Sequence, residues 1–363
     1  MRGFLIYASM SKRKELRESS VDSLIQEYGI NVDATSPITL KRDQQSDGVR
    51  IYRVENATVR CYLVDSPETR RIACHPHVVG KEIETLALEA AQKTLPAILE
   101  LGEVGHHEEI VFEQILRAAP GYKLHVAAKD QIGDSFKTVY VRPQYIYTSY
   151  REHDGMVQQK LRVVYEDFSE LPKGKDISLV MQDTVASGRS GEIAIKAILD
   201  HCEKVGSRIK KWVLYGFISS RGLEFLENIA KSHDLPLVAF AMGNLTALCS
   251  NNYDMPLYGV DESLWSRTHS LHKLGAVVDR TTLSDYVEEF IPGADQPGDW
   301  SARQLKLFTG VGYENGNIAE HLENSARLIE SLMSIGNFLD WQKELALKEL
   351  SRIKEQLVVA KTP

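Results

Sequence analysis

Apolar and polar residues alternate in two rhythms along this chain, one of period 2 and one near 3.6, and the rhythm changes repeatedly. Positions 11–28 carry many charges with apolar residues at helical spacing (Leu16, Val21, Leu24, Ile25). Positions 49–54 and 57–64 alternate apolar and polar around Glu55-Asn56, which predicts a β-hairpin. The stripe Ile83, Leu86, Ala87, Ala90, Ala91 predicts a helical region over 76–99, interrupted at Pro96. A strand is expected over 108–116 and a small-residue turn with one cation, Arg117, over 117–121. A helical stretch follows at 122–130, and then a strand over 139–147. That strand returns through 161–165 after Asp154-Gly155, a strong turn signal at the charged tip of a long hairpin suited to act as a mobile lid.

From 176 the pattern becomes regular. A strand at 177–181 precedes a helix with Ile193, Ala194, Ala197 and Ile198 on one face; 212–218 reads as a strand, 223–231 as a helix and 237–242 as a strand. Strands alternating with helices predict an α/β fold, a parallel twisted sheet flanked by helices, with ligands at the C-terminal ends of the strands. Beyond 242 the chain is loop-rich, notably at 253–261 and 291–299. From about 318 it turns helical, with the stripe Leu322, Ala326, Ile329, Met333, a break at Gly336-Asn337, and a second stripe of Leu339, Leu350, Ile353 and Leu357. The expected division is an N-terminal extension with a hairpin (1–70), a main domain (71–315) and a C-terminal helical segment (316–363) that packs on the domain or on another subunit.

Composition narrows the class. The chain has 363 residues, 43% hydrophobic and 26% charged, as a soluble globular protein has. No apolar run reaches the roughly 18 residues of a membrane span, and no secretory signal is evident, so a cytoplasmic protein is expected. A net charge of −7 argues against broad nucleic-acid binding. The four cysteines, Cys61, Cys74, Cys202 and Cys249, lie far apart and read as buried free thiols. The histidine clusters at Cys74-His75-Pro76-His77, His106-His107 and His269/His272 lack a supporting ligand set at zinc spacing, so no protein-bound metal is expected.

The stretch with chemistry is 176–192, D-I-S-L-V-M-Q-D-T-V-A-S-G-R-S-G-E. An apolar strand, an acid, a glycine turn and an immediate helix start build a phosphate pocket, because the loop and helix amides converge on one place. Gly188 allows close backbone approach, Ser187 and Ser190 add hydroxyl donors, and Asp183 is placed to hold sugar hydroxyls.

That stretch resembles the phosphoribosyl-pyrophosphate motif of the type I phosphoribosyltransferases, with Gln182 at the first acid position, Asp183 at the second, and Ser187-Gly188 for Thr-Gly. Other pieces resemble the uracil phosphoribosyltransferase branch. They are His75-Pro76-His77-Val78-Val79-Gly80-Lys81 before the first long helix, Ile115-Leu116-Arg117-Ala118-Ala119 for the pyrophosphate loop, Tyr150-Arg151-Glu152 on the hairpin and Ser220-Arg221-Gly222-Leu223-Glu224 at a helix start. The resemblance covers about 75–261. The chain departs from the branch at Gln182, at Asp183 and at Ala119.

The resemblance implies the phosphoribosyltransferase fold and transfer of the 5-phosphoribosyl group from phosphoribosyl pyrophosphate to a nucleobase, a uracil-like pyrimidine being favoured, with release of pyrophosphate. Asp183, Thr184, Ala186, Ser187, Gly188, Arg189 and Ser190 would hold the phosphoribosyl part. Ala118 and Ala119 would bind pyrophosphate beside Arg117, and Arg151 would close over it; Asp183, Arg117 and Arg151 are the expected catalytic residues. Mg²⁺ would arrive on the donor's pyrophosphate without direct protein ligands. Two loops compete for the base pocket: 253–261 by spacing, with Tyr258, Gly259 and Asp261, is favoured over 291–299 by letters, with Gly293, Asp295 and Asp299. A homodimer or higher homo-oligomer is expected. The alternatives are a transferase for a purine or modified pyrimidine, and a non-catalytic regulator that binds the donor or a nucleotide.

Overall fold

The computed structural model describes residues 18–41, 48–55, 57–105, 107–147 and 159–361. A helix over 18–28 (α1) leads into β1 (Thr35–Ile38), β2 (Arg50–Val54) and β3 (Arg60–Asp65). β2 and β3 form the expected antiparallel pair, and β3 then runs parallel to β9 (Leu237–Thr246). β1, β2 and β3 are therefore strands of the main sheet.

The helical region expected over 76–99 is one helix that starts at 81 and runs through Pro96 without interruption, and a separate short helix precedes it. Ser66 caps α2 (Pro67–Cys74) by accepting from the Thr69 N–H, with proline at the helix start, where its missing N–H costs nothing. α3 (Lys81–Leu101) begins after Gly80, and the segment between them is a non-helical turn. Next come β4 (Glu109–Ile115), a 3-10 turn (Ala119–Tyr122), α4 (Leu124–Ile132) and the antiparallel pair β5 (Phe136–Tyr147) and β6 (Gln159–Asp167). β7 (Asp176–Gln182), α5 (Arg189–Val205), β8 (Arg208–Ser219) and α6 (Ser220–Ser232) complete the alternating part.

The sheet has ten strands in the order β1-β2-β3-β9-β8-β7-β4-β5-β6, with β12 (Ala276–Val277) added to β9. The run from β3 to β5 is parallel, while β1, β2, β6 and β12 pair antiparallel, so the sheet is mixed rather than wholly parallel. Strand alternation sends Ile110 and Phe112 to one core, with α3 and α4, and Val111 and Ile115 to the other, with α5 and α6. On α5, Ala194, Ile195, Ile198 and Cys202 are buried, and Gly206 closes the helix in the left-handed conformation with its N–H on the Cys202 carbonyl. All four cysteines are free and buried.

After β9 come β10 (Gly259–Val260), α7 (Glu262–Thr268), β11 (Lys273–Leu274), α8 (Arg280–Tyr286) and the small pair β13 (Lys306–Phe308) and β14 (Tyr313–Asn315). α9 (Ile318–Ile335) and α10 (Asp340–Lys361) end the described chain, with the break falling near Gly336 as expected. They share a core with Ile291 and Ala294, so this segment supports the second of the two late loops. Glu349 of α10 reaches back to the α2–α3 turn, 3.0 Å from His75 Nδ1 and 2.5 Å from His77 Nδ1. His77 Nε2 lies 3.3 Å from Arg71 Nη2, so Nε2 accepts there and Nδ1 carries the proton towards Glu349. An acid distant in sequence thus joins the histidines as a self-satisfied pair network. No helix among the described residues is long and apolar enough to cross a membrane.

Candidate functional site

β7 ends at the centre of the sheet, and the chain there turns into α5 through the glycine loop. Gly188 adopts a φ of +79° and precedes α5 without any side-chain cap, which leaves the first amides of a 17-residue helix free for an anion. The loop is braced from behind. Asp183 N–H donates to the Tyr215 carbonyl at 3.0 Å and Val185 N–H to the Phe217 carbonyl at 2.8 Å. Ser219 Oγ donates to the Ala186 carbonyl at 2.5 Å while accepting from Gly222 N–H at 2.8 Å. Gly216 makes the approach possible, because a Cβ there would lie 2.0 Å from the Asp183 carbonyl oxygen.

Asp183 is 7% exposed, and burial pushes its carboxyl up to about 7. It lines two adjoining spaces. One, of about 630 Å³, is bordered by Thr184, Ala186, Ser187, Gly188, Arg189 and Ser190 together with Arg221. The other, of about 480 Å³, is bordered by Arg117, Ala118, Arg142, Tyr253, Asp295, Asp299 and Trp300. The expected phosphate loop and the expected pyrophosphate turn therefore share one cleft at the C-terminal ends of β4 and β7.

Gln182 does not face that cleft. It is fully buried, its Oε1 accepts from the Leu124 N–H at 2.8 Å, and its Nε2 donates to Gln114 Oε1 at 2.7 Å and to His125 Nδ1 at 2.9 Å. Burial lowers His125 to about 4, so the ring is a neutral acceptor. A carboxylate in place of Gln182 would have no proton to give either partner, which accounts for the missing acid. Ala119 is likewise enclosed, at the start of the 3-10 turn, and its side chain lies in the core beneath the cleft rather than in it. Tyr122 of that turn bonds Thr184 Oγ1 through its hydroxyl at 2.5 Å, tying the two sides of the cleft together.

Arg117 stands at the cleft and ion-pairs with Glu314 of β14. Arg142 of β5 is a second cation in the cleft, held by the Thr309 carbonyl at 3.2 Å, and was not marked by the sequence reading. Its only signal was alternation along the strand. Arg151 lies outside the described residues.

The two late loops pair with each other. Leu257 N–H donates to the Ala294 carbonyl and Gly293 N–H to the Leu257 carbonyl, both at 2.7 Å. Only part of this unit reaches the cleft. Tyr258 is fully buried, and its hydroxyl accepts from Asn244 Nδ2 at 3.1 Å. Gly259 packs on the Gly293 backbone, and Asp261 caps α7 by accepting from the Leu264 N–H at 2.9 Å. Tyr258, Gly259, Asp261 and Gly293 are thus absent from the cleft lining, which Asp295 and Asp299 join, with Tyr253 from the first loop.

Residues 297–304 are pinned by Arg303, whose guanidinium is almost wholly buried. It donates to the carbonyls of Val78 (2.9 Å), His75 (3.1 Å), Ile72 (3.2 Å) and Pro297 (2.8 Å), and burial lowers it to about 10. Trp300 stacks on Tyr122 with centroids 4.2 Å apart and rings 15° from parallel.

No protein-family model matches the chain, and no curated protein does. Among solved structures it is similar to adenine phosphoribosyl transferase from Trypanosoma brucei in complex with AMP, pyrophosphate and ribose-5-phosphate, with 13% identity over 53% of this chain and 86% of that one and a TM-score of 0.32. It is similar to orotate phosphoribosyltransferase from Mycobacterium tuberculosis, with 14% identity over 48% and 97% and a TM-score of 0.29. It also resembles a hypothetical protein from Neisseria gonorrhoeae with bound ppGpp, at 12% identity over 37% of this chain and 66% of that one, just under two thirds of its length, with a TM-score of 0.24. Identities and TM-scores this low place no activity on the present chain.

Proposed function

We propose that the cleft binds 5-phosphoribosyl 1-pyrophosphate and transfers its phosphoribosyl group to a nitrogenous base, releasing pyrophosphate. The observation that carries this reading is the joining of unlike binding elements in one cleft. Asp183 and the uncapped N-terminus of α5 suit a sugar phosphate, and Arg117 and Arg142 suit a diphosphate. The sequence resemblance favours a uracil-like pyrimidine as the acceptor.

The reaction asks little covalent chemistry of the protein. Its transition state has oxocarbenium character, so positioning, stabilisation of the leaving charge and exclusion of water supply the rate. Asp183 would hold ribose hydroxyls, and the two arginines would take the pyrophosphate. Mg²⁺ asks for substrate oxygens, water and at most one or two carboxylates; the cleft offers Asp183 and fits a metal delivered on the donor, where it would neutralise charge on the leaving group.

Incubation with phosphoribosyl pyrophosphate, Mg²⁺ and each free base, with pyrophosphate as the readout, tests the activity. Asp183→Asn should weaken donor use and Arg117→Ala should abolish turnover. No release with any base sinks the enzyme reading, and unchanged rates in both variants remove the site assignment.

A further inference from the structure

Both cations on the Arg117 side of the cleft are held by one small element. β13 and β14 pair only with each other and form a hairpin apart from the main sheet. Glu314 of β14 ion-pairs with Arg117, and the Thr309 carbonyl at the hairpin turn accepts from Arg142 Nη1 at 3.2 Å. The two arginines are close enough to repel: burial, and then the charge of Arg117, lower Arg142 from its ordinary value. Two like charges on one wall favour an anion between them, and within the chain Glu314 supplies one.

The hairpin is rooted firmly and tethered lightly. At its base Leu307 is buried, and Gln304 Nε2 donates to the Trp300 carbonyl at 3.0 Å. Gly316 packs so closely there that a Cβ would lie 1.9 Å from the Gln304 carbonyl oxygen. Beyond the base, the Phe308 ring meets Tyr140 edge-on with centroids 5.3 Å apart, and the Tyr165 ring lies against Gly310. Val311 and Tyr313, at the tip and on the return strand, are 89% and 73% exposed. A hairpin of two three-residue strands is marginal in water by itself, so outside contacts decide where it sits. Among the described residues its polar tethers to the cleft wall are the two arginine contacts, and those are the groups a diphosphate would take.

We propose that the β13–β14 hairpin is a built-in competitor for the diphosphate. Glu314 occupies Arg117 and the Thr309 carbonyl occupies Arg142, and a diphosphate that engages both arginines releases the hairpin from the cleft wall. The inference rests on the phosphoribosyl-transfer reading above and adds a gated entry to it. A ligand that engages one arginine leaves the other tether in place, whereas two linked phosphates can replace both. Binding and release are coupled reciprocally, so whatever loosens the hairpin tightens the diphosphate by the same factor.

The test uses the full chain with inorganic pyrophosphate and Mg²⁺ as the probe and inorganic phosphate as its comparison. Hydrogen exchange of the 306–315 amides is followed with and without saturating ligand. Bound pyrophosphate should speed exchange across the β13–β14 ladder by about fivefold or more, while phosphate changes it by less than about twofold and the amides of β7 and β8 do not speed up. Arg117→Ala should show the faster hairpin exchange before any ligand is added. Titration calorimetry should give Glu314→Gln a Kd for pyrophosphate about two- to fivefold below that of the wild type. Hairpin exchange that bound pyrophosphate leaves unchanged or slows, an equal response to phosphate, or a Kd in Glu314→Gln that is unchanged or raised would each overturn the inference and leave the donor site standing. The exchange experiment on the wild type decides alone if a variant does not fold. Absence of pyrophosphate binding to the wild type would instead overturn the donor site, and the inference with it.

Discussion

Glu113 makes the sharpest stability prediction. It sits mid-strand in β4, between Val139 of β5 and Met181 of β7, on the face covered by α5. Both carboxylate oxygens are enclosed without a hydrogen-bond partner among the described residues, and burial raises the group from its ordinary 4.5 to about 8. The folded state therefore keeps a proton that the unfolded chain releases above 4.5. Below that value the site leaves stability untouched. Between 4.5 and 8 it removes about 1.4 kcal/mol per pH unit, and above 8 the loss levels off near about 5 kcal/mol. Glu113→Gln retains the shape and cannot titrate. Its amide is as poorly partnered as the acid, which adds a cost of about 1–3 kcal/mol at every pH. Urea unfolding followed by circular dichroism from about pH 5 to 8.5 should show the variant gaining several kcal/mol on the wild type as pH rises. Asp183 and Asp295, also raised by burial, slope both curves alike and cancel in the difference. Stability curves that run parallel within about 0.5 kcal/mol would refute the buried, unpaired carboxyl.

Three further outcomes are expected. Glu314→Gln frees Arg117 from a partly exposed ion pair worth about 0.2–1 kcal/mol, so KM for the phosphoribosyl donor should fall by up to about fivefold; a rise would contradict the proposed pyrophosphate contact. Gln182→Glu strands Gln114 and His125 and should destabilise by about 1–3 kcal/mol without restoring any function, which thermal unfolding and the pyrophosphate assay together would check. Glu349→Gln breaks the buried link between α10 and the α2–α3 turn and should cost about 3–5 kcal/mol. Burial lowers His75, but its hydrogen bonds to Glu289 and Glu349 outweigh this and raise it. That contribution is present below the ordinary histidine value of 6.5 and is lost as pH rises past it. Burial pushes Glu349 up, but bonds from His75 and His77 hold it lower, so its contribution is present above 4.5 and is lost on acidification. The link is therefore strongest between these values, and a wild-type melting temperature that does not decline above about pH 6.5 relative to Glu349→Gln would count against it.

The glycine loop before α5 was legible in the sequence and the facing of the late loops was not, for one physical reason. The loop's anion-binding capacity lies in backbone amides at the start of α5, so its signature is local: an apolar strand, Asp183, Gly188 and a helical stripe within a few residues. The cap before α2 was equally local, since Ser66-Pro67-Glu68 marks a helix start, but the stripe beyond Gly80 hid it. The far side of the cleft is instead assembled from side chains on loops whose facing is decided elsewhere. Spacing favoured Tyr258, yet the hydrogen bonds of Leu257 and Gly293 join both loops back to back and turn Tyr258 inward. What turns Asp295 and Asp299 outward is the grip of Arg303 on carbonyls of the α2–α3 turn, more than 200 residues earlier in the chain, together with the packing of α9 under Ile291 and Ala294. No local pattern encodes such a brace. A cleft of this construction can change the side chains on one wall by changing one loop while the cradle before α5 stays fixed, so that wall is read from the loop pairing and the Arg303 brace rather than from the spacing of the motif.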